Sequence, residues 1–343
     1  MRAAVFQAAG ENLRIEDRQR PSAGPGEIVL RVAYCGICGS DLHATEANPI
    51  PLPPGIVLGH EFSGTVVESQ SPDWQIGERA IGIPLQPCAE CMPVGRCKEG
   101  LGILCPKGGI IGLSPAAPGG YAEYVKLMAS HALRVPETVD LRTAALAEPL
   151  AVGAHAVRLA GALLGARVLV IGAGPIGLAV TIFARLAGAR DVVVSEPDPD
   201  RRGRAEKFGA TGTIDPLTEP LAKGFIRHAG ERPEVIFECV GAPGLLRECL
   251  DTAAIHGRVV VVGVNRGEDT VFPRVAIRKE LTIRFALGYV PADFRLVLDV
   301  LESGRIDAPA LITAVIGLDA LPAMFESLRA RNPHAKVLID PSM

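Results

Sequence analysis

Residues 167–177 read RVLVIGAGPIG. A run of apolar residues, Val168–Ile171, enters Gly172-Ala173-Gly174-Pro175-Ile176-Gly177, and an apolar helical pattern follows to about Ala187. An uninterrupted apolar run is what a strand buried on both faces gives. GxGxxG alone is a weak signal. Placed directly after a strand and opening a helix, it predicts a dinucleotide-binding turn. Gly172 permits the tight turn, Gly174 lets the backbone approach a pyrophosphate, and Gly177 lets helix pack on strand. The helix start, at Pro175 and Ile176, then offers unpaired N–H groups to the phosphates. Glu196 closes the next apolar run, DVVVSE, 19 residues past Gly177. A carboxylate there suits ribose hydroxyls and repels a 2′-phosphate, which favours NAD over NADP. Arg201 and Arg202 follow and pull the other way, so Arg201 stays among the cofactor-binding candidates. A glycine turn in some other α/β fold is the alternative.

Further along, EVIFECVG (234–241) and GRVVVVGV (257–264) alternate with helical patterns at 199–210 and 244–255. Strand–helix alternation predicts a doubly wound parallel sheet in an α/β fold. The 17 residues 168–184 carry no charge. That falls short of the about 20 a membrane span needs, and the glycines and Pro175 break it. Before Leu141 the texture differs. Pro and Gly recur every few positions between β-like runs at 27–35, 61–69, 78–85 and 121–127, which predicts a mostly β domain. An amphipathic helix (294–304) and a last strand, AKVLID (335–340), end the chain.

The 343 residues suggest two domains. Hydrophobic residues make up 48% and charged residues 21%, which excludes wholesale disorder. With 35 basic and 38 acidic side chains the net charge is −3, so neither nucleic acid nor an anionic membrane is the expected partner. Aromatics at 4% leave little for stacking on bases. Residues 3–9 are apolar, but Glu11, Arg14 and Glu16 follow, with no long secretory core. The chain has eight cysteines, four of them between positions 88 and 105. Disulfide scaffolds are usually short and secreted, so crowded cysteines here read as metal ligands in a reducing, cytoplasmic compartment.

Three constellations carry that chemistry. Cys38-Gly-Ser40-Asp41-Leu-His43 and Gly59-His60-Glu61 together supply thiolate, imidazole and carboxylate, the donors typical of zinc. Cys35 forms a CxxC with Cys38, and a redox pair is the weaker reading. Cys88-x2-Cys91-x5-Cys97-x7-Cys105 fits a closed four-thiolate zinc site in a loop with little apolar content; a disulfide pair is the alternative. Glu148, in AALAEPLAV, is a carboxylate in an apolar surround, costly unless paired or metal-bound. It reads as a fourth zinc ligand or as an anion at a helix start.

These segments, with GGYAEYV (119–125) and ECVGAPG (238–244), resemble the zinc-dependent medium-chain alcohol dehydrogenases over nearly the whole chain. The resemblance is strongest to the branch of sorbitol, threonine and butanediol dehydrogenases. The resemblance implies a GroES-like mostly-β catalytic domain, 1–150 completed by 290–343, and a Rossmann NAD-binding domain, 151–289. It implies catalytic zinc on Cys38, His60 and Glu61, with Glu148 on the zinc or its water. Ser40 and His43 would relay the substrate proton, and Asp41 would orient the histidine ligand. Gly263 and Val264 match the stretch near the nicotinamide. A homo-oligomer, tetramer or dimer, and a small alcohol or ketone substrate are further implications. Two departures stand out. Three extra residues precede the third cysteine of the loop, leaving Val94 at the usual position, and Phe285-Ala286 replaces a small-polar pair. The expected activity is NAD-linked, zinc-dependent hydride transfer to or from a secondary alcohol. The rivals are a lyase or epimerase that uses bound NAD internally and a non-catalytic binding relative.

Overall fold

In the computed structural model, which describes residues 1–46, 52–86, 88, 102–105, 107–330 and 332–343, the RVLVI run is the strand Arg167–Ile171. It lies third in a six-stranded sheet ordered Gly212–Ile214, Asp191–Ser195, Arg167–Ile171, Val235–Glu238, Arg258–Val261, Thr282–Phe285. All five pairings are parallel. The order reverses between Arg167–Ile171 and Val235–Glu238, and the glycine turn leaves the sheet there, at the carboxyl ends where doubly wound sheets bind ligands. Val168, Leu169 and Val170 are fully buried, and each contributes about 1.5–3 kcal/mol by leaving water. Pro175 opens the helix Pro175–Leu186, and residues 177–184 of it are buried. The charge-free stretch is therefore strand, turn and core helix. Among the described residues no helix is long and apolar enough to cross a membrane.

The two edge strands went unread in the sequence. Gly212–Ile214 has only three residues. Thr282–Phe285 is exposed along its whole length, so it shows no alternation of buried and open sides. Glu196 stands one residue beyond its strand, which ends at Ser195.

The chain divides into two units, Met1–Glu148 with Val290–Met343, and Pro149–Tyr289. The first is built on a seven-stranded sheet. Its path runs Ile312–Ile316, Lys336–Ile339, Glu27–Gly36, Glu61–Ser69, Arg79–Gly82, Ala132–Arg134, and Tyr124–Met128 also pairs with Glu27–Gly36. Its core includes Phe6, Leu30, Phe62, Tyr121 and Phe325. The register matters for the site. Gly36 lies opposite both Glu61 and Leu338, and Cys35 opposite both Phe62 and Ile339. Three distant segments thus converge at the end of Glu27–Gly36.

Candidate active site

Cys38 follows that strand and precedes the short helix Gly39–Ala44. His60 precedes the strand Glu61–Ser69 that pairs with it. One donor atom each of Cys38, His60 and Glu61 lies within 4.8 Å of the others, the one such group among the described residues. The Ser40 hydroxyl donates to Cys38 Sγ at 3.1 Å and stands 3.2 Å from His60 Nε2. On its other side, His60 Nδ1 lies 3.1 Å from Asp41 Oδ1. Asp41 is fully buried, and its Oδ2 accepts from Cys38 N–H at 3.2 Å and from the Tyr121 hydroxyl at 2.7 Å. His43 lies exposed on the same helix face as Ser40, three residues on.

The electrostatics agree with this geometry. Burial would raise the Asp41 carboxyl, but the charge on His60 and the bonds from His60, Tyr121 and Cys38 outweigh it and hold it below the usual value. Burial would lower His60, yet Asp41 and Cys38 raise it well above an ordinary histidine. A field that keeps a proton on His60 also favours a metal cation in the proton's place. A thiolate, an imidazole and a carboxylate with one carboxylate behind the imidazole are a zinc donor set, so the residues fit the metal.

One member of the cluster was missed in the sequence. Lys336, buried at the start of the last strand, donates to Glu61 Oε1 at 2.6 Å, to Oε2 at 2.7 Å and to the Ile37 carbonyl at 3.0 Å. Burial would lower the Lys336 ammonium, but Glu61 raises it, with Cys38 and Glu148 adding to that. Glu61 folds over Gly36, where a Cβ would stand 1.9 Å from Oε2, so only glycine fits. The signal was present: Lys336–Ile339, KVLI, is a fully buried strand with one charge in it. Glu148, buried in the first turn of Ala147–Ala160, falls outside the group of three donors and joins it through the field at Lys336.

The cysteine loop is described only at its ends. Cys88 and Cys105 stand with sulfurs 3.5 Å apart. That is too far for a disulfide and near the ~3.7 Å between two thiolates on one tetrahedral zinc. Cys91 and Cys97 lie outside the described residues. Cys35 is fully buried, and burial pushes its thiol well up, which argues against a redox CxxC with Cys38.

In the second unit the glycine turn has the expected form. Gly172 has φ of +97°, and a Cβ on Gly177 would stand 1.9 Å from the Gly172 carbonyl oxygen. Gly174, just before Pro175 and Ile176, faces open space. A cavity of about 450 Å³ is lined by Gly172, Gly174, Glu196, Arg201, Cys239 and Val240, among others. Glu196 Oε2 accepts from Ala173 N–H at 2.9 Å and Oε1 from Asp198 N–H at 3.0 Å, which fixes the carboxylate at the turn. Arg202 donates to the Glu196 carbonyl and faces Asp215 at 3.5 Å. A second cavity, about 350 Å³, has Gly263, Val264, Asn265, Phe285 and Ala286 in its wall. Glu238, also missed, lines the same cavity and accepts from Val240 N–H at 2.7 Å and Gly241 N–H at 2.8 Å. A glycine turn at the point where the strand order reverses, with a buried carboxylate fixed beside it, fits a dinucleotide.

Comparison with known proteins decides the family. Residues 24–137 match the alcohol dehydrogenase GroES-like domain and residues 175–303 the zinc-binding dehydrogenase domain. The (R,R)-butanediol dehydrogenase of Bacillus subtilis is 31% identical over 97% of both chains. The chain belongs to the zinc-dependent medium-chain alcohol dehydrogenases. This dehydrogenase is also 33% identical to the sorbitol dehydrogenase of Gallus gallus, over 98% of this chain and 95% of that one. The crystal structure of 2R,3R-butanediol dehydrogenase from Bacillus subtilis superposes with a TM-score of 0.89 at 31% identity, covering 99% of each chain. A chain from Sinorhizobium meliloti 1021 solved with NADP bound gives the same TM-score, identity and coverage. This dehydrogenase is therefore an oxidoreductase with the family's GroES-like and Rossmann parts.

Proposed function

We propose that this dehydrogenase oxidises a secondary alcohol, a polyol or a related hydroxylated small molecule, with NAD as acceptor. The observation that carries the reading is the group of half-buried Cys38 with buried His60 and Glu61, and Asp41 behind the imidazole. The relatives' names, butanediol and sorbitol dehydrogenase, point to vicinal hydroxyls. When bound, zinc would supply a Lewis acid that lowers the alcohol's pKa, and the nicotinamide would take up the hydride.

The chain's own residues supply the rest. Cys38, His60 and Glu61 hold the metal, Lys336 balances the charge of Glu61, and Glu148 acts on the site through its field at Lys336. Ser40 takes the hydroxyl proton, and the exposed His43 passes it to solvent. Gly172, Gly174 and the start of the helix at Pro175 receive the diphosphate. Glu196 accepts the ribose hydroxyls and repels a 2′-phosphate, since Arg202 is already paired with Asp215. Cys88, Cys91, Cys97 and Cys105 hold a second, structural zinc.

Initial rates against a panel of alcohols with NAD and NADP test this. The expected result is NADH formation on a secondary alcohol, with kcat/KM for NAD at least about tenfold above NADP, worth ~1.4 kcal/mol. Equal use of NADP overturns the role of Glu196. Product formed without net NADH identifies the lyase or epimerase instead, and no product with any alcohol favours the binding relative.

The enzyme also works as an oligomer, tetramer or dimer, in the cytoplasm. The open edge strand Thr282–Phe285, with Phe285 71% exposed, is the kind of edge that pairing covers. Thiolate ligands need a reducing compartment. A monomer in sedimentation velocity, or recovery from an oxidising compartment on cell fractionation, contradicts these two assignments.

A further inference from the structure

Tyr121 is fully buried and reaches two residues that bear on His60, Asp41 and Gly59. Its hydroxyl donates to Asp41 Oδ2 at 2.7 Å, while Asp41 Oδ1 faces His60 Nδ1 at 3.1 Å. Its ring packs on the turn that leads into His60. Gly59 has φ of +96°, and a Cβ there would stand 2.4 Å from Tyr121 Cδ1. The residue itself is held firmly. Its N–H donates to the Leu58 carbonyl at 2.9 Å, and its carbonyl accepts from Ala4 N–H at 2.8 Å. Phe325 meets the ring edge-on, with centroids 6.4 Å apart.

A buried carboxylate stays ionised and oriented only when its oxygens are met by donors. The Tyr121 O–H meets Oδ2, which leaves Oδ1 as the acceptor for Nδ1–H. With the proton on Nδ1, the lone pair of the neutral imidazole lies at Nε2, the nitrogen nearest Ser40 Oγ. Without the phenol, Cys38 N–H at 3.2 Å is the donor that remains to Oδ2 among the described residues, and the carboxylate can turn away from the imidazole.

We propose that Tyr121 is a positioning residue: through Asp41 it fixes the tautomer and aim of His60, and so the hold on the zinc. The inference rests on the metal-site reading above. The Tyr121→Phe variant tests it, because the ring keeps its packing on Gly59 and Phe325 and only the O–H is lost. Two readouts on purified holoenzyme serve: the rate of zinc transfer to a chromophoric chelator, and the visible spectrum of the cobalt-substituted protein. The expected result is about 10–100-fold weaker zinc retention with a shifted cobalt band. Phe325→Leu loosens the ring without removing the hydroxyl. It is expected to melt lower yet keep zinc within about twofold of wild type. Unchanged zinc retention and cobalt band in Tyr121→Phe overturn the inference, as does equal zinc loss in Phe325→Leu. Wild-type protein whose zinc does not depend on Cys38 overturns the metal-site reading and this inference with it.

Discussion

Cys38→Ser leaves a folded chain whose turnover on its alcohol falls by about 10³-fold or more. A Lewis-acidic metal supplies several kcal/mol of transition-state stabilisation, and ~4 kcal/mol corresponds to roughly 10³ in rate. The substitution exchanges one sulfur for oxygen at a half-buried position just ahead of the helix Gly39–Ala44. The Asp41 bond to the backbone N–H of residue 38 remains available, so the fold around it is kept. Initial-rate kinetics read the loss, and dinucleotide binding by fluorescence titration should be unchanged, because the nucleotide turn belongs to the other unit. Full turnover in the variant removes Cys38 from the chemistry.

Lys336→Met has the largest effect on stability. Glu61 is fully buried and Lys336 is 3% exposed, so removing the ammonium leaves a carboxylate with no counter-charge at 2.6–2.7 Å. Breaking such a pair costs about 3–5 kcal/mol, although a well-packed apolar replacement of both partners often costs far less. In a unit of roughly 200 residues the melting temperature should fall on the order of 10 °C. Zinc offers Glu61 another cation. The deficit should therefore be larger with chelator than with zinc, and the Glu61→Gln/Lys336→Met double variant should recover part of it. Calorimetry with and without chelator checks all three. A single variant that melts with the wild type under both conditions shows that the pair does not hold this carboxylate. The pH dependence follows from the direction of the shift. Lys336 is raised above its ordinary 10.5. On the alkaline side the lysine's contribution is therefore fully present up to that pH and is lost as pH rises through the higher folded value.

Local chemistry was the legible part of the site. Gly172, Gly174 and Gly177 declare a dinucleotide turn because close backbone approach excludes side chains. Cys38, His60 and Glu61 declare a metal because few other roles want those three donors together. What stayed hidden depends on register. Lys336 reaches Glu61 only because two strands flank Glu27–Gly36 on either side, with Gly36 between them. Tyr121 reads in sequence as one aromatic in a β run, and its bond to Asp41 exists only once the turn at Gly59 lies beneath its ring. Glu238 sits at the end of an apolar strand, and its two backbone partners come from the turn that follows. The strand Thr282–Phe285 carries no periodicity because neither of its faces is buried. For the inserted cysteine loop, spacing supplied the whole argument, and the 3.5 Å approach of Cys88 to Cys105 is the geometry that bears on it.

On the proposed reading, Cys38, His60 and Glu61 hold the catalytic zinc. Elemental analysis of wild type and Cys38→Ser, purified side by side, tests it most directly. The variant is expected to carry one zinc atom per chain fewer than the wild type, with the zinc of the cysteine loop retained. Equal zinc in the two proteins would contradict it.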